Sequence, residues 1–179
     1  MTAFTIEVKD QGVQAALQAL SARVNNMRPV LQTIGEGIVE RTKRRFEAST
    51  GPDGVKWKDN SPTTLALLAG RLAGHKGKVK KDGSLNAAGQ RAYANKKPLI
   101  GESQDLRRQF TLSVVNGTLT VGSTPVYAAI HQFGGKAGRG LKVTIPARPF
   151  LPVHKDGTLY PKDQAEILAA LNSYLMQGL

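Results

Sequence analysis

Side chains that could move protons, attack a substrate or bind a metal are few in this sequence and lie far apart. The three histidines are His75, His131 and His154, and no two of them have the spacing of a helix-borne metal pair. The chain has no cysteine, which excludes a disulfide framework, a cysteine-based zinc site and a cysteine nucleophile. His131 is the best single candidate for chemistry, but because no carboxylate lies near it in sequence, we interpret it as a packing residue.

The acidic residues make no stronger case for an active site. Glu36 and Glu40 share a predicted helix face, as do Glu102 and Asp105, yet neither pair has a partner typical of acid–base catalysis. The acids are scattered, whereas a nuclease usually clusters them around metal ions. The serine elbow Gly-x-Ser-x-Gly and the phosphate-binding Walker pattern are missing from the sequence. We therefore expect a protein that is not an enzyme, with no catalytic residue, metal or cofactor.

The charge of the chain indicates anionic partners. Lysine and arginine number 25 against 13 acids, which gives a formal net charge of +12. Such a field attracts DNA, acidic protein surfaces and anionic lipid without choosing among them. The N-terminal residues lack the basic start and apolar run of a signal peptide. The densest apolar run, residues 65–69, is too short to span a bilayer, so we expect no membrane partner.

An apolar stripe predicts a long helix near the N-terminus. Its members alternate spacings of four and three residues, and they are Val13, Leu17, Leu20, Val24, Met27, Leu31, Ile34 and Ile38. The preferred interpretation is a helix packed on the core, with an intermolecular coiled coil as the alternative. Pro29 should cause a kink or a break near residues 27–28, and the continuing phase of the stripe favours a kink. The basic residues that follow predict a solvated helix end, with contact to an acidic neighbour as the second interpretation.

Alternating segments predict strands that pack with this helix. Residues 3–9 alternate apolar and polar side chains, as in a half-buried strand, and Asn116-Gly117 between two alternating runs predicts a hairpin. A short helix should follow Pro125, then a strand at 141–145, and Pro161 should begin the last helix. The expected fold is α+β: a small, mostly antiparallel sheet packed against a long N-terminal helix, with a shorter helix before the last strand and a C-terminal helix.

The chain of 179 residues fits a single domain, residues 1–179, that carries one segment of different composition. Residues 73–97 are rich in lysine, glycine and alanine and contain one acid, Asp82. We interpret them as a flexible basic insertion. It is either a solvated loop or a contact with DNA or an acidic partner that becomes ordered on assembly.

Two further side chains have predicted structural roles. Trp57, the only tryptophan, follows the turn Pro52-Asp53-Gly54 and should fill the edge of the core with its indole N–H bonded to a carbonyl; a partner surface is the alternative. Arg148 lies between two prolines in an extended segment and should pair with a carboxylate or with backbone carbonyls.

Five short stretches, taken in order, carry a family resemblance. They are Arg45-Phe46; Pro52-Asp53-Gly54-x-x-Trp57; Leu99-Ile100-Gly101 leading to Leu106-Arg107; Tyr127-Ala128-x-Ile130-His131-Gln132-Phe133-Gly134; and Ile145-Pro146-Ala147-Arg148-Pro149-Phe150-Leu151. This set, within residues 40–153, resembles the phage virion morphogenesis family of Mu-like tail-completion or neck proteins. The sequence departs from the family in the basic segment 73–97 and at Asp105, where the family usually has a glycine.

The resemblance implies a structural role late in virion assembly, in which such proteins complete the tail or join it to the filled head as rings, commonly sixfold. The implied partners are other phage tail or connector proteins, further copies of the chain in a ring such as a hexamer, and phage DNA in the lumen, with no small-molecule substrate. The implied location is the bacterial host cytoplasm during assembly and then the tail or neck of the virion. The motif residues are Trp57, Tyr127, His131, Gln132, Phe133, Gly134, Pro146, Arg148 and Pro149.

A ring around a DNA path would place positive charge near phosphates. The residues expected to face DNA or an acidic partner ring are Lys76, Lys78, Lys80, Lys81, Lys136 and Arg139. The alternative function is that of a basic DNA-binding protein acting on its own, which predicts tight and steeply salt-dependent binding by the monomer. Aromatic residues make up 6% of the chain and do not interleave with the basic runs, so no stacking platform for single strands is indicated.

Overall fold

The computed structural model describes residues 10–177, so the predicted strand at 3–9 lies outside the described residues. The α-helices are α1 (Gln11–Asn25), α2 (Arg28–Ala48), α3 (Pro62–Ala73), α4 (Ala87–Ala94), α5 (Asp105–Arg108), α6 (Ala128–Phe133) and α7 (Pro161–Met176), and 3₁₀ turns occupy Lys76–Lys78 and Arg139–Leu141. The strands are β1 (Phe110–Val115), β2 (Thr118–Ser123), β3 (Gly135–Ala137) and β4 (Val143–Ile145). They form two antiparallel pairs, β1 with β2 and β3 with β4, and the predicted α+β class is confirmed.

The hairpin β1–β2 packs across α2. Asn116 and Gly117 connect the strands with φ values of 49° and 72°, the left-handed geometry that tight hairpin turns require, so the predicted hairpin is confirmed. The sheet approaches α2 closely at Gly35, where an added Cβ would lie 2.6 Å from Leu112 Cδ1 and 2.8 Å from Leu119 Cδ1. A larger residue at this position would push the hairpin off the helix.

The C-terminal helix α7 covers a second side of α2. Val30, Ile34 and Ile38 of α2 are buried, and Ile167 and Leu171 of α7 pack against them. Within each helix these residues repeat at intervals of four, which places them on one face of that helix. The predicted C-terminal helix beginning at Pro161 is confirmed.

The interruption predicted near residues 27–28 is confirmed, but it is a break and not the favoured kink, because the chain forms two helices separated by residues 26–27. Asn26 ends α1 with its backbone N–H donated to the carbonyl of Arg23, and α2 begins at Arg28. Proline lacks the N–H that a helix interior uses but fits the first turn of a new helix, so Pro29 stands next to a helix start. The apolar stripe of α1 is not buried as predicted, since α1 contains no buried residue.

A second cluster of buried side chains joins the end of α2 to later parts of the chain. The ring of Phe46 lies 5.2 Å from that of Trp57 in an edge-to-face arrangement and 5.3 Å from that of Phe150. Leu106 and Ala128 complete the cluster. The core-edge role predicted for Trp57 is thus confirmed.

The basic end of α2 is only partly solvated. Arg45 is buried, and its Nη2 donates to Asp163 Oδ2 at 2.5 Å, while Arg41 Nε donates to Asp163 Oδ1 at 3.1 Å. Arg45 Nη1 also donates to the carbonyl of Phe150 at 2.9 Å. The preferred interpretation of a solvated helix end is therefore wrong for Arg45, and the second interpretation, an acidic neighbour, holds.

Residues 73–97 contain more regular structure than the predicted loop. Lys76–Lys78 forms a 3₁₀ turn and Ala87–Ala94 forms α4. The side chain of Asn86 accepts hydrogen bonds from the N–H groups of Ala88 and Gly89, which caps α4, and it donates to the carbonyl of Gly77. The flexibility of the segment remains a prediction. Within residues 10–177, no helix has both the length and the apolar content needed to cross a membrane.

The basic residues Lys136 and Arg139 lie in and beside a short hairpin. Residues 135–137 pair with residues 143–145, so Lys136 lies in a short hairpin strand and Arg139 in the turn that follows. The predicted strand at 141–145 is confirmed for its last three residues.

Candidate functional site

The later motif stretches meet at a cleft of about 740 Å³. One wall is formed by α6 and the segment after it, with Tyr127, His131, Pro146 and Arg148, and the other by residues 58–64 and 96–106. The contacts of the motif residues explain what holds these distant parts of the chain together.

Arg148 connects the two walls of the cleft. The side chain is buried, with Nε donating to the carbonyl of Lys58 at 2.7 Å and Nη2 donating to the carbonyl of Asp59 at 2.6 Å. Burial lowers the pKa of the guanidinium, and the nearby Asp59 carboxylate partly offsets this shift. Of the two partners that the sequence predicts, carboxylate or backbone carbonyls, the structure shows the carbonyls.

Gln132 fastens α6 to the proline-rich segment that follows β4. Its Oε1 accepts from the backbone N–H groups of Phe150 and Leu151, each at 2.9 Å. Its Nε2 donates to the carbonyls of Leu151 at 3.1 Å and Val153 at 3.0 Å. A segment with proline at every third position cannot form a regular strand ladder, so one buried amide supplies partners that a neighbouring strand would otherwise provide.

Two more motif residues fix the same segment. Trp57 Nε1 donates to the carbonyl of Pro149 at 2.9 Å, which is the bond predicted for the indole. Gly134 has a φ of 70°, and an added Cβ would lie 2.9 Å from the backbone nitrogen of Ala147, so both conformation and space require glycine there. The neighbouring Phe133 is exposed and Pro146 is half-buried.

His131 and Tyr127 form the part of the cleft that is open to solvent. Their rings lie 6.0 Å apart and nearly perpendicular, as their spacing of four on one helix face predicts. The Tyr127 hydroxyl is 3.5 Å from the carboxylate of Asp105. Among the described residues His131 Nδ1 is buried without a hydrogen-bond partner. Burial, and then the positive charge of Arg148, lowers the pKa of His131, which favours the neutral ring.

The lowered pKa of His131 predicts a dependence of stability on pH. An unfolded chain protonates this histidine near its ordinary pKa of 6.5, whereas the folded protein resists protonation until a lower pH. Between these two values the unfolded state binds more protons. The free energy of unfolding should therefore be highest above pH 6.5 and fall as the pH drops through the lower pKa of the folded state.

Urea titrations of the wild type and of His131→Gln at about pH 7.5 and about pH 5.5, on either side of the ordinary histidine pKa, test this expectation. We expect the wild type to lose more stability than the variant on acidification, because glutamine does not titrate. Equal losses in the two proteins would show that the histidine is not held neutral by the fold.

Internal hydrogen bonds hold the walls of the cleft in place. The polar side-chain groups of Trp57, Gln132 and Arg148 are bonded to the protein's own backbone, so they position chain segments. Within the described residues, no group of three or more histidine, cysteine, aspartate or glutamate side chains could hold a metal ion.

The predicted DNA- or partner-facing cations lie in two separate segments. Lys76, Lys78, Lys80 and Lys81 belong to the turn region before α4, and Lys136 and Arg139 belong to the hairpin β3–β4. All are exposed except Lys78, which is half-buried. None of the ion pairs found between residues 10 and 177 includes any of the six.

Sequence reasoning missed Asp163 and Arg45 as a buried pair and the contact of Asp105 with Tyr127. The position of Asp163 in the first turn after Pro161 indicated a role at the start of the helix, because acids are favoured at helix N-termini. No local pattern indicated that this acid would meet the end of α2.

Comparisons with known proteins give this geometry a context. The model of the phage virion morphogenesis family matches residues 8–176. The chain is 48% identical over 77 residues to "Mu-like prophage FluMu G protein 2" of Haemophilus influenzae, a match that covers 43% of this chain and about half, 51%, of that protein. It is 25% identical over 156 residues to "Putative capsid assembly protein G" of Escherichia phage Mu, with 85% of each chain covered.

No solved structure matches the chain. The family match extends from the residues just before α1 to the last turn of α7, so it includes every element described above. The resemblance identified from five short motifs is thereby confirmed. The chain belongs to the phage virion morphogenesis family.

Proposed function

We propose that this protein is a structural subunit of the phage virion that assembles into a ring and completes the tail or the head–tail junction. Membership of the virion morphogenesis family supports a structural role in assembly. The observation that carries the proposal is that three of the family's motif residues form hydrogen bonds within the protein and do not point polar groups at a substrate site. Gln132, Arg148 and Trp57 direct their polar groups to the protein's own backbone and so make a rigid body.

Exposed apolar side chains beside the cleft support contacts with other proteins. Val126 is 98% exposed, and Leu141 and Val143 of the β3–β4 hairpin are 61% and 53% exposed. A ring needs heterologous contacts, in which one patch of a subunit meets a different patch of the next. Large apolar side chains left in water next to a cleft are suited to such a contact.

The cations before α4 and in the β3–β4 hairpin support a surface that meets polyanions. The net charge of +12 would favour the passage of DNA through a ring lumen or docking on an acidic partner ring. We propose that the protein is located in the host cytoplasm during assembly and in the virion afterwards.

Native mass spectrometry and negative-stain imaging of the purified protein test the proposal. We expect a closed ring with one fixed subunit number, formed alone or on addition of the phage's other tail proteins. Duplex DNA should bind the free protein only weakly, with a dissociation constant in the range of roughly 10–100 µM at physiological salt. A monodisperse monomer that shifts duplex DNA tightly would instead support a DNA-binding protein acting on its own.

A lysine variant separates the role of the basic segment from that of overall charge. Replacing Lys76, Lys78, Lys80 and Lys81 by glutamine should lower the slope of log affinity against log salt by about 0.9 for each DNA phosphate that these lysines neutralise. A matched variant with glutamine at the exposed Lys43, Lys56, Lys155 and Lys162 removes the same charge elsewhere. Equal effects of the two variants would show that the basic segment has no special role.

A further inference from the structure

Residues 61–96 leave and rejoin the body of the protein at one place. At that place the side-chain Nδ2 of Asn60 donates to the carbonyl of Lys96 at 3.0 Å. Between these ends α3, the 3₁₀ turn Lys76–Lys78 and α4 pack on one another, and within residues 10–177 none of them packs as extensively on any other helix or strand. We call residues 61–96 the arm, because they form a helical hairpin on a single base.

The arm has close packing of its own. Gly89 of α4 is buried against the turn that precedes the helix, because a Cβ added there would collide with the carbonyl oxygen of Lys78 and lie 3.1 Å from Leu85 Cδ2. Asn86, which caps α4, also donates to the carbonyl of Gly77 at 3.1 Å. Contacts inside the arm therefore hold the turn and α4 in one arrangement.

The tip of the arm is a turn whose sequence and geometry occur a second time in the chain. Residues 79–85 and 153–159 both read Val-x-Lys-Asp-Gly-Ser/Thr-Leu. In each turn Oδ1 of the aspartate accepts from the serine or threonine two positions later, from its backbone N–H at 2.9 Å and from its hydroxyl at 2.7 Å. The glycine has a φ of 82° in one turn and 87° in the other, and the valine and leucine form an antiparallel bridge in both. Because one pattern gives one geometry in two different surroundings, the turn is specified locally and needs no partner to form.

The arm also holds half of the net charge of the protein. It contains seven lysines and arginines against one acid, Asp82, which gives a formal charge of +6 in 36 residues, whereas the whole chain carries +12 in 179. Four of these cations lie at or beside the tip; Lys76, Lys80 and Lys81 are exposed and Lys78 is half-buried. Because the turn has a fixed geometry, these charges form a positive surface that does not have to be ordered by a ligand.

The residue types at the tip favour DNA over an acidic protein as the partner. Residues 74–86 contain four lysines but no arginine, phenylalanine, tyrosine or tryptophan. Contacts between proteins are enriched in arginine and aromatic residues and depleted in lysine. Lysine binds phosphate as a point charge, and binding through phosphates alone does not depend on base sequence. The composition of the tip is therefore that of a surface for the phosphate backbone of a duplex.

We propose that the arm is folded in the free subunit and that its lysine-bearing tip binds the phosphate backbone of duplex DNA. This inference rests on the proposed function, in which DNA passes through a ring, and it names the segment that meets the DNA. A single arm binds weakly, because it offers few charges. The identical arms of a ring would bind one duplex together, which raises the affinity without any new kind of contact.

Hydrogen exchange followed by mass spectrometry tests whether the arm is folded before it binds. In the free wild-type protein we expect peptides that cover residues 77–95 to be protected, because amides such as those of Lys80 and Asn86 are bonded inside the arm. Adding duplex DNA should leave this protection in place. Exchange in the free protein at the rate of an unstructured peptide would overturn the proposal.

Two alanine substitutions test whether the fold of the arm matters for binding while every charge is kept. Gly89→Ala places a Cβ against the turn and should separate α4 from it, so that each binding event has to order the tip again. We expect its affinity for a short duplex, measured by fluorescence anisotropy at low salt, to fall roughly tenfold. The matched control is Gly70→Ala on α3, where a Cβ meets open space and alanine favours the helix, so its affinity should equal that of the wild type.

The two variants give distinct outcomes. Exchange outside the arm should be the same in both as in the wild type, and only Gly89→Ala should lose protection within it. A Gly89→Ala protein that loses this protection and still binds DNA like the wild type would show that the lysines act as a flexible chain. If Gly89→Ala unfolds the whole protein, exchange in the wild type and the choice between polyanions decide.

A comparison of two polyanions tests the choice of partner. A duplex carries one charge per about 1.7 Å, whereas extended poly-glutamate carries one per about 3.4 Å, so the wild type should prefer DNA to poly-glutamate of equal total charge. Glutamine at Lys76, Lys80 and Lys81 should remove most of this preference. Equal or tighter binding of poly-glutamate by the wild type would favour an acidic protein as the partner and overturn the proposal.

Native mass spectrometry separates this inference from the proposed function. Gly89→Ala should form the same ring as the wild type, since the arm is assigned to DNA and not to the contact between subunits. A wild type that forms rings, with a DNA affinity that Gly89→Ala leaves unchanged, would disprove only the role of the arm. A wild type that forms no ring under any condition would remove the ring, while the exchange and affinity of the free subunit would still decide whether the arm binds DNA.

Discussion

Replacing Gln132 by leucine should destabilise the protein by about 4 kcal/mol, because several buried backbone groups would lose their partners at once. The amide is 3% exposed and makes four hydrogen bonds. Leucine has a similar volume, so the destabilisation would come from polar groups left without water or partners, at about 1–3 kcal/mol each, offset by partial rearrangement. Urea denaturation with circular dichroism measures the change.

The matched control for this substitution is Gln164→Leu on α7. Gln164 is exposed, and within the described residues its side chain makes no hydrogen bond, so the change should stay within about 0.5 kcal/mol. A Gln132→Leu variant as stable as this control would show that the segment after β4 is not held by the amide. Because the same segment carries Arg148, we also expect the variant to open the cleft and to weaken assembly of the proposed ring below its unfolding temperature.

The elements that can be predicted from sequence are those whose signals are local. The turn Asn116-Gly117 determines its hairpin because both residues tolerate positive φ, and Pro161 begins α7 because proline fits a first turn. A carbonyl partner can be assigned to Trp57 because a buried indole N–H must find an acceptor. In each case a single residue type with a strong physical requirement is enough.

Local signals indicate an interruption near Pro29 but could not decide between a kink and the observed break between α1 and α2. The apolar stripe runs in phase through Pro29, which favours one kinked helix, but phase reports which face is apolar and not whether that face is covered. In the subunit the stripe of α2 is buried while that of α1 is exposed. Whether a stripe is covered depends on what the chain meets in space, including other subunits.

The contacts that build the cleft were also beyond local reasoning. Arg148 bonds to carbonyls 89 and 90 positions away, and backbone carbonyls have no sequence signature. The family resemblance marks Gln132 and Arg148 as motif residues but does not say what they bond to. The structure shows that Gln132 substitutes for the strand partners that a proline-rich segment cannot have, and that Arg148 ties this segment to the opposite wall of the cleft.

Substituting Asp163 by alanine should be about as damaging as losing Gln132, at about 3–5 kcal/mol, since it leaves the buried guanidinium of Arg45 without its counter-charge. The carboxylate has no exposed surface and holds Arg45 and Arg41 of α2 at the first turn of α7. It also lies where the helix dipole favours a negative charge. Thermal and urea unfolding of the variant measure the loss.

Two further variants show whether the loss comes from the unpaired charge. Glu40→Ala breaks the exposed pair with Arg44, one turn apart on α2, and should cost no more than about 0.5 kcal/mol. The double substitution Arg45→Met with Asp163→Leu removes both buried charges and should recover most of the stability lost in Asp163→Ala. The double variant could instead be as unstable as the single one. The hydrogen bonds of Arg45 to Phe150 and Asp163 would then hold α2, α7 and the cleft segment together more strongly than apolar packing can. In that case the ion pair is itself a source of stability.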